Sequence, residues 1–222
     1  MVVKDCDFTV QKGEIIGLMG ESGSGKSTLA KLLLGLEKPS QGEILLDGQP
    51  YSVKKSGVRI LLVFQDSLHS VNPNFTVEQV LTEALPKDVA REEIEAILED
   101  VGLDKSFLSQ PARQLSGGQL QRICIARGLL LKPDILIFDE ALSGLDPIVQ
   151  GRLLRLLYDL WEKYQLTYLF ISHDFKLSYA LCHRILVMAD GEIVDQIKDF
   201  ELPIQAHHPV TEKLIGDKGH FS

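Results

Sequence analysis

The stretch Gly20-Glu21-Ser22-Gly23-Ser24-Gly25-Lys26-Ser27-Thr28 decides the architecture of this 222-residue chain. Its first eight residues have the form G-x-x-x-x-G-K-[ST]. They follow an apolar run, residues 14–19, that reads as a buried strand, and they lead into residues 27–36, whose leucines fall on one helical face. Strand, glycine loop and helix in that order make an anion cradle. Glycines let backbone N–H groups turn inward on phosphate oxygens, and the helix N-terminus adds the positive end of its dipole. Lys26 is placed to reach the β- and γ-phosphates of a nucleotide, and the Ser27 hydroxyl to ligate Mg²⁺. The alternative is an ordinary glycine-rich turn. A chance match in a chain this long is on the order of one per cent, and the flanking strand and helix lower it further.

Such a site needs an acidic residue at the end of a second apolar strand, and Ile135-Leu136-Ile137-Phe138-Asp139-Glu140 supplies it. Asp139 is expected to hold Mg²⁺ through its water shell. Glu140, one residue further on, can accept a proton from the attacking water or orient it. By itself an acidic pair after a core strand is as often a solvated strand end. Beside the glycine loop the chemical reading prevails.

Outward from these two stretches the chain alternates strand and helix. Residues 6–10, 42–46, 58–64, 168–172, 184–188 and 191–195 read as strands, and Asp47-Gly48 as a turn. Residues 149–164 and 175–181 read as helices. The middle differs: residues 76–85 and 90–101 are amphipathic helix candidates with Arg91, Glu92, Glu93 and Glu95 on the wet side. The expected organisation is a single domain over residues 1–222. An α/β core (1–66 and 129–200) is interrupted by a helical insert at about 67–128 and followed by a tail, 201–222.

Composition narrows the function classes. Hydrophobic residues make up 45% and charged ones 24%, which suits one folded domain and excludes wholesale disorder. The net charge of −8 lacks the basic footprint of a nucleic-acid binder, so no nucleic-acid partner is expected. No apolar run approaches the roughly 18 to 20 residues that span a bilayer, and the opening MVVKDCDF has no apolar h-region of signal-peptide type. Cys6, Cys124 and Cys182 lie far apart without CxxC spacing, against a disulfide framework or zinc ribbon and in favour of a reducing compartment.

Leu115-Ser116-Gly117-Gly118-Gln119 then separates the nucleotide-binding possibilities. As physics it is a serine and two glycines opening a helix, a second anion-binding N-terminus or simply a well-capped one. As a motif, LSGGQ resembles the signature of ATP-binding cassette (ABC) ATPases. The resemblance covers nearly the whole chain, with Gln65 matching the family's Q-loop, Ser143-Gly144-Leu145-Asp146 its D-loop and His173 its switch histidine. It implies an α/β fold, a P-loop (RecA-like) ABC ATPase core with an inserted α-helical subdomain and a small antiparallel β portion. It also implies ATP and Mg²⁺ as ligands, the metal held by Ser27, Gln65 and Asp139. Glu140, His173 and Gln65 become the catalytic set, and Gly20 through Thr28 the ATP-binding residues. Leu115–Gln119 and Asp146 would act on ATP held by a second cassette.

Within the family, the absence of a long coiled coil between Lys26 and Asp139 points away from chromosome-structure ATPases, and a single acidic cassette away from translation factors. Phe64-Gln65-Asp66, Asn72-Pro73 and His208-Pro209-Val210-Thr211 resemble the peptide/nickel importer ATPases, the nickel members most of all. The expected protein is therefore the ATPase of an importer for nickel or a chelated transition metal, a dipeptide or oligopeptide importer being the alternative and a soluble nucleotide switch the rival from another class. The resemblance implies a second homologous ATPase as a heterodimer partner, two transmembrane permease subunits and an extracytoplasmic solute-binding protein, with the chain peripheral on the cytoplasmic face. His69, His183, His207, His208 and His220 show no metal-ligand spacing and give no support to metal binding by this chain. Family members stack an aromatic residue on adenine from a strand ahead of the position of Met1. Phe8 is a nominal substitute, but strand alternation assigns it to the core.

Overall fold

The computed structural model describes residues 2–64, 70–86, 89–198, 200 and 204–216. At its centre lies β1 (Ile15–Met19), IIGLM, buried at every position. A strand without polar alternation needs cover on both faces, the mark of a parallel sheet. Its neighbours are β6 (Thr167–Ile171) and β7 (Arg184–Ala189), both parallel to it. β5 (Ile135–Asp139) pairs with β6, and β4 (Ile60–Phe64) with β5, again parallel. β8 (Glu192–Ile197) closes the sheet antiparallel to β7, giving the order β4-β5-β6-β1-β7-β8.

Period-two alternation divides the strand residues between two cores. Ile15, Met19, Phe138, Tyr168, Phe170 and Val187 face one side, and Ile16, Leu18, Ile137, Leu169, Ile171 and Met188 the other. Phe138 and Tyr168 meet edge-on at 5.0 Å and 81°, a preferred aromatic geometry. The second core is covered by Leu29 and Ala30 of α1 (Lys26–Leu33). The first is covered by α3 (Val77–Thr82), α4 (Arg91–Asp100), α5 (Gly117–Leu130), α6 (Pro147–Tyr164) and α7 (Phe175–Leu181). α5 buries residues all round, as a helix between other elements must. Both α3 and α5 start with a complete capping box, Thr76 with Gln79 and Ser116 with Gln119.

Several local expectations need correction. Residues 6–10 form no strand: both edges of β1 are taken by β6 and β7, and Phe8 and Val10 pack instead against the second core. Residues 42–46 contribute only β2 (Leu45–Leu46), joined through Asp47-Gly48 to β3 (Gln49–Pro50). Positive φ at both turn residues, 53° and 72°, gives the twist a two-residue hairpin requires, and Pro50 has no N–H to extend the ladder. This hairpin is the small antiparallel portion. α2 (Val53–Ser56) and α8 (Pro209–Ile215) had no counterpart in the sequence reading. No helix among the described residues is long and apolar enough to cross a membrane.

The topology places the site. All five parallel strands end at one edge, and Ile171 stands level with Leu18 on one side and Asp139 on the other. Whatever follows β1, β5 and β6 therefore converges beyond that edge, where open α/β sheets bind ligands.

Candidate functional site

Three connections converge there: the glycine loop after β1, Asp139-Glu140 at the end of β5, and His173 just past β6. Together they line a cavity of about 410 Å³, a volume suited to a small ligand. From the loop, Gly20, Ser22, Gly23 and Gly25 contribute, followed by Lys26, Ser27 and Thr28 at the start of α1. Asp139, Glu140 and His173 complete the wall.

The loop has the form its glycines predict. Gly25 sits at φ 110° as the N-cap of α1 and offers no side chain to the first-turn N–H groups. Those groups and the helix dipole are left for an anion. Lys26 turns its ammonium back on the loop, donating to the carbonyls of Gly20 at 2.8 Å and Glu21 at 2.9 Å. Burial pushes its pKa below the usual lysine value, and the negative charges of Glu140 and Asp139 oppose that shift. Asp139 moves the other way. Burial and the charge of Glu140 raise its carboxyl pKa, against the pull of Lys26. Two carboxylates and one ammonium in a half-buried pocket are a donor set that fits a polyphosphate with a divalent cation. The cation would neutralise Asp139, and the phosphates would take the ammonium from the loop's own carbonyls.

Glu140 is held in a strained conformation, φ 52°, of the kind that concentrates at functional sites. Its N–H donates to Ile171 at 2.9 Å, and its carbonyl accepts from the Ser143 N–H at 3.0 Å and the Ser143 hydroxyl at 2.7 Å. This backbone clamp aims the side chain at His173, whose Nδ1 lies 2.9 and 2.8 Å from the two carboxylate oxygens. A carboxylate oxygen only accepts, so Nδ1 carries the proton in this arrangement.

Not every anticipated residue reaches the cavity. Glu21 turns outward to Lys213, and Ser24 is buried beneath the loop. Gln65 lies outside the described residues. Asp146 caps α6, accepting the N–H of Ile148 at 2.9 Å, and does not line the cavity. The LSGGQ segment is also elsewhere: Ser116, Gly117 and Gly118 are exposed, and none of the five lines the cavity. Leu115, unlike the three residues after it, is buried in the first core.

Three residues at or behind the site went unnoticed in the sequence. Val2 lines the cavity mouth; an isolated valine near the chain start carries no signal. Gln121, two residues past the LSGGQ run, donates its buried side-chain amide to the carbonyl of Ala141 and so ties α5 to the exit of β5. A polar residue amid the apolar face of α5 was the available clue. Gly191 in the β7–β8 turn donates its N–H to the Ser24 carbonyl at 3.0 Å and accepts from Lys4 N–H at 2.7 Å, joining the loop to the N-terminal segment. At φ 87°, a Cβ there would sit 2.4 Å from the Val2 carbonyl oxygen. Gly191→Ala is expected to lose roughly 2–3 kcal/mol of stability, read as a lower urea midpoint at unchanged slope. A midpoint equal to that of the native chain would show that the Val2 segment yields freely.

Known proteins resemble this chain in sequence and in fold. The profile of the family described as ABC transporter matches residues 3–143. The Nickel import ATP-binding protein NikE of Shigella dysenteriae serotype 1 (strain Sd197) is 43% identical over 206 residues, 87% of this chain and 77% of that protein. The Metal-staphylopine import system ATP-binding protein CntF of Staphylococcus aureus (strain NCTC 8325 / PS 47) is 40% identical over 221 residues, 96% and 88% of the two chains. Among solved structures, a dimeric ATP-binding cassette in a post-hydrolysis state with ADP and Pi superposes with a TM-score of 0.72 at 27% identity, covering 89% of this chain and 90% of its own. With a phosphate loop, an acidic strand end and an LSGGQ helix built around one mixed sheet, and relatives of this identity along most of its length, the chain belongs to the ABC transporter family and is one of its ATPases.

Proposed function

We propose that this chain is the ATP-hydrolysing subunit of an importer for nickel, free or chelated. The observation that carries the catalytic part is the pairing of Glu140 with His173 across the cavity from Lys26. The solute rests on likeness to nickel-import and metal-staphylopine-import proteins. The second of these supports a chelated transition metal as the second reading.

In this proposal Lys26 leaves the loop carbonyls for the β- and γ-phosphates of ATP, while Ser27 and Asp139, with Gln65, hold Mg²⁺. The cation supplies charge neutralisation on the phosphate oxygens. Glu140 takes the proton of the attacking water, and His173 keeps the carboxylate aligned. Ser116, Gly117 and Gly118 lie apart from the chain's own cavity, which supports their acting, with Gln119 and Asp146, on nucleotide held by a second homologous ATPase. That partner is a different chain, making a heterodimer. Two permease subunits dock near the insert, around residues 66–76, at the cytoplasmic face of the membrane, and an extracytoplasmic binding protein delivers the solute.

The deciding experiment is cellular nickel content in a deletion strain given back the native chain or Glu140→Gln. Nickel restored by the native chain alone is the expected result. Peptide uptake that responds while nickel does not would overturn the solute. Failure of the chain to co-purify with any membrane subunit would favour a soluble nucleotide switch.

A further inference from the structure

Glu21 stands next to Gly20 in the phosphate loop, yet it sends its carboxylate away from the cavity to the ammonium of Lys213, 192 residues further along the chain. Lys213 lies on α8, near the last described residue. α8 is anchored independently of this pair. Pro209 opens it, and His208 caps it by accepting the Val210 N–H on Nδ1 at 3.2 Å. Thr211 is fully buried. On β8, Asp195 accepts the N–H of His207 at 2.8 Å and that of Gln196 at 2.8 Å. Burial works against the charge of Asp195, but these N–H groups outweigh it and hold its pKa below the usual aspartate value, so the anchor is charged at neutral pH.

The ion pair itself is a surface contact, its two side chains 49% and 76% exposed. Such a pair contributes little to the stability of the fold. Its position gives it another effect. A carboxylate one residue from the start of a polyphosphate cradle repels the ligand that the cradle is built to hold. Pairing with an ammonium cancels that repulsion and restrains the outer side of the loop. The inner side is already held by the Gly191 N–H on the Ser24 carbonyl.

We infer that Lys213 is a positioning residue of the nucleotide site: by pairing with Glu21 it neutralises and restrains the phosphate loop, so that α8 sets the affinity for nucleotide. This rests on the reading of Gly20–Thr28 as the ATP site, and the test separates the two.

MgATP binding is measured by calorimetry on the full chain as native protein, Lys213→Ala, Lys213→Arg, Glu21→Gln and the Glu21→Gln/Lys213→Ala double variant. Lys213→Ala is expected to weaken binding about three- to tenfold at about 0.05 M salt. At about 0.5 M salt, where the screening length is roughly 4 Å and the repulsion between an unpaired Glu21 and a bound polyphosphate is largely screened, the loss shrinks to under about twofold. In the Glu21→Gln background Lys213→Ala should change affinity by less than about twofold, because the charge it served is gone. Lys213→Arg keeps native affinity. Equal weakening in both backgrounds would overturn the inference and make Lys213 a distant cation that acts on ATP directly. Native affinity in Lys213→Ala at low salt would overturn it as well. A lowered melting temperature in Lys213→Ala that tracks its affinity loss at every salt concentration would reduce the residue to a structural one. A native chain that fails to bind MgATP would overturn the site reading instead.

Discussion

Glu140→Gln is expected to bind MgATP as tightly as the native chain and to hydrolyse it about 10²–10⁴-fold more slowly, the scale of a lost general base. The substitution is nearly isosteric, and a glutamine oxygen still accepts from His173 Nδ1, now 2.8 Å from the carboxylate. The backbone clamp on Ile171 and Ser143 is untouched, since it uses main-chain atoms of residue 140. What disappears is the capacity to take a proton. Binding resides in other groups, the loop N–H donors, Lys26 and Asp139, so affinity and turnover should separate cleanly. The check pairs calorimetric MgATP binding on the chain with phosphate release by the assembled transporter. Turnover within a few-fold of native would remove Glu140 from the role of base, and a parallel loss of affinity would mean that it holds the nucleotide.

Lys26→Ala should show the opposite pattern, a loss of nucleotide binding of roughly 30- to several-thousand-fold. That range corresponds to the ~2–5 kcal/mol cost of truncating one partner of a buried charged pair. The setting places it toward the upper end. Lys26 is the positive charge opposing Asp139 and Glu140; without it an incoming polyphosphate meets two carboxylates and only the α1 N-terminus in its favour. The carbonyls of Gly20 and Glu21 that now accept its hydrogen bonds would be left to solvent, so the fold itself should survive. Retained affinity in a folded Lys26→Ala chain would show that nucleotide binds elsewhere. Together the two variants divide the site into a group that binds and a group that reacts.

Much of this was legible in the chain because it is local. The loop from Gly20 to Ser27 sits between an apolar strand and an amphipathic helix, and those neighbours alone require a strand–loop–helix turn with unsatisfied N–H donors at its apex. The apolar run ending in Asp139-Glu140 is likewise complete within six residues. Alternation misled where burial and pairing part company: residues 6–10 have the pattern of a strand and pack as one, but both sides of β1, the strand they lead into, are taken by β6 and β7. The burial of Leu115 was not legible either, since membership of a motif does not say which way a side chain points.

The amino-acid order by itself determined the phosphate loop, the acidic strand end, the capped LSGGQ helix and the family, because each is a short run whose chemistry follows from neighbouring residues. Only the tertiary structure decided that Glu140 meets His173, that Gln121 ties α5 to Ala141, that Gly191 holds the back of the loop and that Lys213 reaches Glu21. Those partners are separated by 20 to 192 residues, and what joins them is the order of strands in the sheet, which no local pattern encodes.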